Sequence, residues 1–221
     1  MKISNYSVMH NQQYILKDLS VEFTPNRLNI LMGENGAGKT TLFDSIAGVL
    51  HENKRPILDV SVAYKIQNPV FFSNLTVQEI INMFNVIGDD KLETESGRLI
   101  KEQCLRKIFH RKLGQLSGGE LQLLFDYGTH LLDRDLYLFD EPTAGVSFSN
   151  SQLVLQMMQE LVDERGKTVV TTLHDFREVN DLKAHIITLK DGKVSFSGTR
   201  DQLLTKDTVT NLKQEINPLI L

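Results

Sequence analysis

The sequence predicts an α/β fold: a core of alternating strands and helices, interrupted by an inserted helical stretch. Three observations carry this. Short apolar runs alternate with helical patterns up to residue 65 and again from residue 136. A glycine-rich loop joins one apolar run to a helical stretch. Between them, residues 76 to 124 are mostly helical in pattern.

Taken in order, Lys2 to Val8 and Leu19 to Phe23 read as strands, the second closed by Pro25 and Asn26. Leu28 to Met32 is a short apolar run consistent with a buried strand, and it ends at Gly33. A helical stretch follows over Thr41 to Leu50, and Val60 to Lys65 alternates as a strand does. The texture changes near Asn68 and Pro69, and polar loops interrupt the helical insert around Gly88 and Gly97. Leu136 to Phe139 is again apolar and runs into two acids. Ser149 to Arg165 reads as a helix stopped at Gly166, and the β-branched Thr168 to Leu173 as a buried strand. Ile186 to Leu189 and Lys193 to Ser197 flank Asp191-Gly192, a pair suited to a type I′ hairpin turn. A polar helical tail is expected at the end.

Composition excludes several functions. The chain of 221 residues carries 24 basic and 28 acidic side chains, a net charge of −4. That balance gives no general affinity for nucleic acid or anionic lipid, so any phosphate must be held by local geometry. The lone cysteine, Cys104, permits no intrachain disulfide and suits a reducing, cytosolic compartment. The N-terminal segment lacks the apolar core of a signal peptide. No apolar run approaches the roughly 18 residues of a membrane-spanning helix. If the protein serves a membrane process, another chain is expected to supply the membrane part.

Gly33-Glu34-Asn35-Gly36-Ala37-Gly38-Lys39-Thr40 matches G-x-x-x-x-G-K-[ST]. Glycines let successive N–H groups turn toward phosphate oxygens, and the following helix aims its positive end at the same anion. Lys39 is placed to reach the β- and γ-phosphates, and Thr40, beside Thr41, to ligate Mg²⁺. The motif says that a nucleoside triphosphate binds. A hundred residues on, Asp140 closes an apolar strand where such an enzyme holds its metal, and Glu141 follows, placed to orient or deprotonate water. Leu116-Ser117-Gly118-Gly119-Glu120 opens a helix with a serine and two glycines and forms a second anion cradle, in which Ser117 can also serve as N-cap.

That last segment resembles the LSGGQ signature of ABC ATPases, with Glu120 in the glutamine's place. The resemblance spans nearly the whole chain. Gln67 looks like the Q-loop glutamine, His174 like the switch histidine, and Glu141-Pro142-Thr143-Ala144-Gly145 like the segment leading into the D-loop. Leu189 to Lys193, with Gly198, is similar to the closing hairpin.

The resemblance implies one domain over residues 1–221 with a P-loop NTPase core, a mixed sheet, an antiparallel β subdomain and an inserted α-helical subdomain. The core is expected over 1–68 and 125–221 and the helical subdomain over about 69–124. It implies ATP hydrolysis in a head-to-tail homodimer, each ATP lying between the P-loop of one subunit and Ser117 to Gly119 of the other. It places Mg²⁺ on Thr40, Asp140 and Gln67, water activation on Glu141, and γ-phosphate stabilisation on His174, with Lys39 on the phosphates. It also implies a separate permease chain, docked on the helical insert near Val70, Phe71, Phe72 and Leu75, and a cytoplasmic position on the inner membrane face. No nucleic-acid partner is expected.

Three positions depart from the family pattern. Ser147 stands where the D-loop usually carries aspartate, and Leu121 where arginine often follows the signature. His10 stands where an aromatic residue usually stacks on adenine, with Tyr14 nearby as the alternative. The absence of an added regulatory segment leans toward export. A soluble, non-transport ATPase of the same family is the alternative.

Overall fold

Leu28–Met32 and Thr168–Thr172 are runs in which every residue is buried, because both faces of their strands are covered. These two strands lie at the centre of a six-stranded sheet in the computed structural model. The structure describes residues 1–50, 56, 58–67, 69, 71–88, 93–173 and 182–204.

The strands are β1 (Lys2–His10), β2 (Gln13–Glu22), β3 (Leu28–Met32), β4 (Val62–Lys65), β5 (Leu136–Phe139), β6 (Thr168–Thr172), β7 (Ala184–Lys190) and β8 (Lys193–Thr199). The large sheet has the order β4-β5-β6-β3-β7-β8. All neighbours are parallel except β7 and β8, so the sheet is mixed. Asp191 and Gly192 have φ of 49° and 71°, the left-handed pair that a type I′ turn requires. β1 and β2 form a separate antiparallel pair. Both strands are longer than the sequence suggests, because Asn11 and Gln12, at φ of 49° and 63°, turn the chain tightly without a glycine.

Period-two alternation divides the core between the two faces. Tyr137 and Phe139 pack with Ile30, Met157, Leu161 and Tyr127 in one cluster. Leu136 and Leu138 pack with Leu31, Phe43, Leu16 and Val170 in the other. The first face is covered by α4 (Gly118–His130) and α5 (Phe148–Asp163), the second by α1 (Lys39–Ala47) and the β1–β2 pair. Because β3 and β5 are parallel to β6 between them, the loop after Met32 and the acids after Phe139 emerge at the same edge. That carboxyl edge is where open α/β sheets bind ligands.

Every described regular element between β4 and β5 is helical. α2 (Val77–Ile87) begins at Thr76, whose hydroxyl and the Glu79 carboxylate cap each other's backbone N–H. α3 (Glu95–Ile100) begins at Thr94 and runs on into a π-helical turn over Lys101–Leu105. Glu160 of α5 accepts hydrogen bonds from the Ser96 amide at 2.9 Å and hydroxyl at 2.6 Å, which fastens α3 to α5. The last helix among the described residues, α6 (Arg200–Leu203), is a single turn. The expected polar tail, residues 205–221, lies outside the described residues.

α2 crosses α4 at Gly128, where an added Cβ would stand 2.1 Å from the Phe84 ring. Gly128→Ala should therefore force the two helices apart and destabilise the fold by about 1–3 kcal/mol. Gly118→Ala on the same helix, with nothing within 4 Å of the added atom, should cost clearly less. Urea unfolding of the two variants compares them directly.

Candidate active site

The loop after β3 is shaped by its own lysine. Lys39 opens α1, and its ammonium turns back to donate to the Gly33 carbonyl at 2.7 Å and the Glu34 carbonyl at 3.0 Å. Burial pushes its pKa down, and the nearby charges of Glu141 and Asp140 pull it back up. At Gly33 a Cβ would meet the Leu189 carbonyl of β7 at 2.3 Å, so only glycine lets the loop leave the sheet so close to the neighbouring strand.

Asp140 follows β5 and is fully buried. One carboxylate oxygen accepts from the Thr40 hydroxyl at 2.7 Å, the other from the Thr172 hydroxyl at 2.7 Å. The same Thr172 oxygen accepts from the Glu141 amide at 2.7 Å. The Glu141 carboxylate receives the Gln67 amide at 2.5 Å. Thus Thr40 from α1, Gln67 after β4, the two acids after β5, and Thr172 at the end of β6 converge at one sheet edge.

They border a cleft of about 540 Å³ lined by Ile15, Asn35, Gly36, Gly38, Lys39, Thr40, Thr41, Gln67 and Glu141. Gly33, Glu34, Ala37 and Asp140 shape the cleft without lining it. His10 and Tyr14 do not line it either. Both sit beside the β1–β2 turn, where Tyr14 is 56% exposed and has the Lys17 ammonium 5.5 Å from its ring centre. From β2 it is Ile15 that lines the cleft, a residue that sequence reading missed. The signal lay in β2 itself: successive residues face opposite ways, so a one-residue choice decides which one reaches the site. His174 lies outside the described residues.

Ser117, Gly118 and Gly119 do not line the cleft of their own chain. Ser117 caps α4 in a reciprocal capping box with Glu120, whose carboxylate accepts the Ser117 amide at 2.7 Å and hydroxyl at 3.0 Å. Those bonds, chiefly the one from the amide, hold the Glu120 carboxyl below its usual pKa range. Arg111 pairs with the same carboxylate at 2.8 Å. A Cβ on Gly119 would meet the Gly145 carbonyl at 2.4 Å, so this helix start packs directly on the segment after Glu141. Ser147 stands as N-cap of α5 with no side-chain capping bond. Leu121 packs against the core.

Residues 16–144, more than half of the chain, match the ABC transporter family. The chain belongs to that family. It is 26% identical to the iron(3+)-hydroxamate import ATP-binding protein FhuC of Bacillus subtilis, over 93% of this chain and 84% of the relative. Identity is also 26% to the manganese transport system ATP-binding protein MntB of Halalkalibacterium halodurans, over 91% of this chain and 87% of that one. Among solved structures, the ATP-binding subunit of an ABC transporter shares the fold with a TM-score of 0.80 at 21% identity, covering 99% of this chain and 96% of that chain.

This ABC protein therefore binds ATP and hydrolyses it. No helix among the described residues is long and apolar enough to cross a membrane. Because Ile15 lines the cleft, Ile15→Ala should weaken ATP binding about tenfold. His10→Ala should leave it within about twofold. Titration with a fluorescent ATP analogue separates the two.

Proposed function

We propose that the chain is the ATP-hydrolysing subunit of a membrane transporter and acts as a homodimer around two equivalent ATP molecules. The observation that supports this most is the division of the anion-binding parts. One chain's cleft is lined by P-loop residues and Glu141, with Asp140 behind Thr40, while the second cradle, Ser117 to Gly119, stands outside it. A second copy, placed head to tail, brings that cradle to the open side of the triphosphate.

The roles are those the family resemblance implies, and the contacts of Lys39, Thr40, Asp140, Glu141 and Gln67 support theirs. The loop amides and Lys39 bind the phosphates, with Thr41 beside them. Thr40 and Asp140 bring two hard oxygen donors into contact, 2.7 Å apart, and this donor set fits Mg²⁺. Thr40, Asp140 and the Gln67 amide oxygen would hold the ion, partly through water. When bound, Mg²⁺ neutralises charge on the β- and γ-oxygens. Glu141 takes the proton of the attacking water as the new oxygen–phosphorus bond forms and the bond to ADP breaks. Gln67, already on the Glu141 carboxylate, orients that carboxylate. His174 steadies the γ-phosphoryl group as charge shifts. Loss of that group removes the bridge between subunits and opens the dimer.

A permease would dock on the helical insert, holding the protein at the inner face of the membrane. The patch expected there divides. Phe71 packs at a tilt against Phe125 and Leu75 packs on the core, whereas Phe72 is 80% exposed. Val70 lies outside the described residues. The exposed apolar surface continues along α2 through Met83, Val86 and Ile87, and apolar area of this kind marks an interaction surface. FhuC is named for import and MntB for transport without a direction, so neither name supports the export expected from the sequence.

Glu141→Gln should lower the turnover rate by about 10²–10⁴-fold while ATP binding persists. Hydrolysis by the parent chain should rise more steeply than linearly with protein concentration. A linear dependence with no ATP-induced dimer of the variant would contradict the shared site. Phe72→Asp should spare ATP binding and uncouple hydrolysis from transport in reconstituted vesicles. Unchanged transport would refute the docking surface.

A further inference from the structure

Glu141 has φ of 49°, the left-handed region that a bulky residue seldom occupies. Such a conformation persists only when its surroundings over-determine it. Three side chains do so here. The Glu141 amide donates to Thr172 at 2.7 Å. The Gln122 amide donates to the Glu141 carbonyl at 2.7 Å. The Lys65 ammonium donates to the Asp140 carbonyl, on the peptide that enters Glu141, at 3.1 Å.

Lys65 and Asp126 lie 4.0 Å apart with side chains 1% and 0% exposed. Among the described residues, neither oxygen of Asp126 has a hydrogen-bond partner. Burial pushes the Asp126 carboxyl up to about 7 and the Lys65 ammonium down, each opposed by the other's charge. A well-packed apolar pair of similar volume would avoid that desolvation cost. Gln122 and Asp126 stand four residues apart on one face of α4, the helix that begins at Ser117. One helix thus reaches the backbone on both sides of Glu141, directly through Gln122 and indirectly through Asp126 and Lys65. Ser117 lies only five residues, about 7.5 Å along the axis, before Gln122.

We propose that Lys65, Asp126 and Gln122 are positioning residues that tie the backbone of Glu141 to α4, so that engagement of Ser117 by the partner subunit's ATP sets the Glu141 carboxylate. The inference rests on the role of Glu141 proposed above. The pair holds the peptide before Glu141 and Gln122 the carbonyl after it, and a shift at the start of α4 moves both.

The test uses the full chain in three variants. Lys65→Met/Asp126→Leu removes the pair without stranding a charge. Gln122→Met removes the second tether and introduces no buried charge, so it carries the test should the first variant not fold. Each is expected to lower kcat about tenfold or more, with the KM for ATP, the melting temperature and ATP-induced dimerisation close to those of the parent. A purely structural role would move the melting temperature and leave kcat of the folded fraction unchanged. Glu141→Gln is the control. Parental kcat in the folded positioning variants beside an inactive Glu141→Gln overturns this inference alone. An active Glu141→Gln overturns the underlying assignment.

Discussion

One buried carboxylate organises the catalytic edge. Asp140 has no solvent exposure and receives a hydroxyl on each oxygen, from Thr40 and from Thr172. Such compensation offsets the cost of burying the acid. Satisfying it requires the start of α1, the end of β5 and the end of β6 to meet. Parallel strands with covered faces make that meeting possible, because they bring every βα turn to one side. Glu141, next in the chain, inherits its place from Asp140 and takes its second constraint from Gln67.

The other anion cradle is built independently and carries its own charge problem. Ser117 and Glu120 cap α4 reciprocally, so the Ser117 hydroxyl and amide already serve a carboxylate. A phosphate arriving at this helix start competes with Glu120 for the same donors. Arg111, paired to Glu120, offsets part of the negative charge. Because Glu120 already occupies these donors, a lone anion gains less at this helix start, which fits the proposed closure against a second subunit's triphosphate.

Much of this was legible in the residues. Gly33 to Thr40 reads as a phosphate loop because its glycines, lysine and threonine each have a separate physical task, and β3 and α1 flank it as the apolar run and helical pattern require. Asp191-Gly192 specified its turn and both adjoining strands. Export is the expectation that found no support, since it rested on where the chain ends rather than on any residue. Other features escaped because they are tertiary. Ile15 lines the cleft, while His10 and Tyr14 beside it do not, because strand register decides which side chains face inward. Phe71 and Phe72 are identical neighbours with opposite fates. Lys65 and Asp126 sit 61 positions apart in the sequence, and neither looks unusual until both are seen buried together.

The most direct measurement is a structure of the chain with Mg²⁺ and a non-hydrolysable ATP analogue. Two copies should enclose the analogue, with the terminal phosphate against Ser117 to Gly119 of the opposite subunit and the Thr40 hydroxyl turned from Asp140 to the metal. A nucleotide bound by a single chain, with Thr40 still on Asp140 and Ser117 remote from the terminal phosphate, would contradict it.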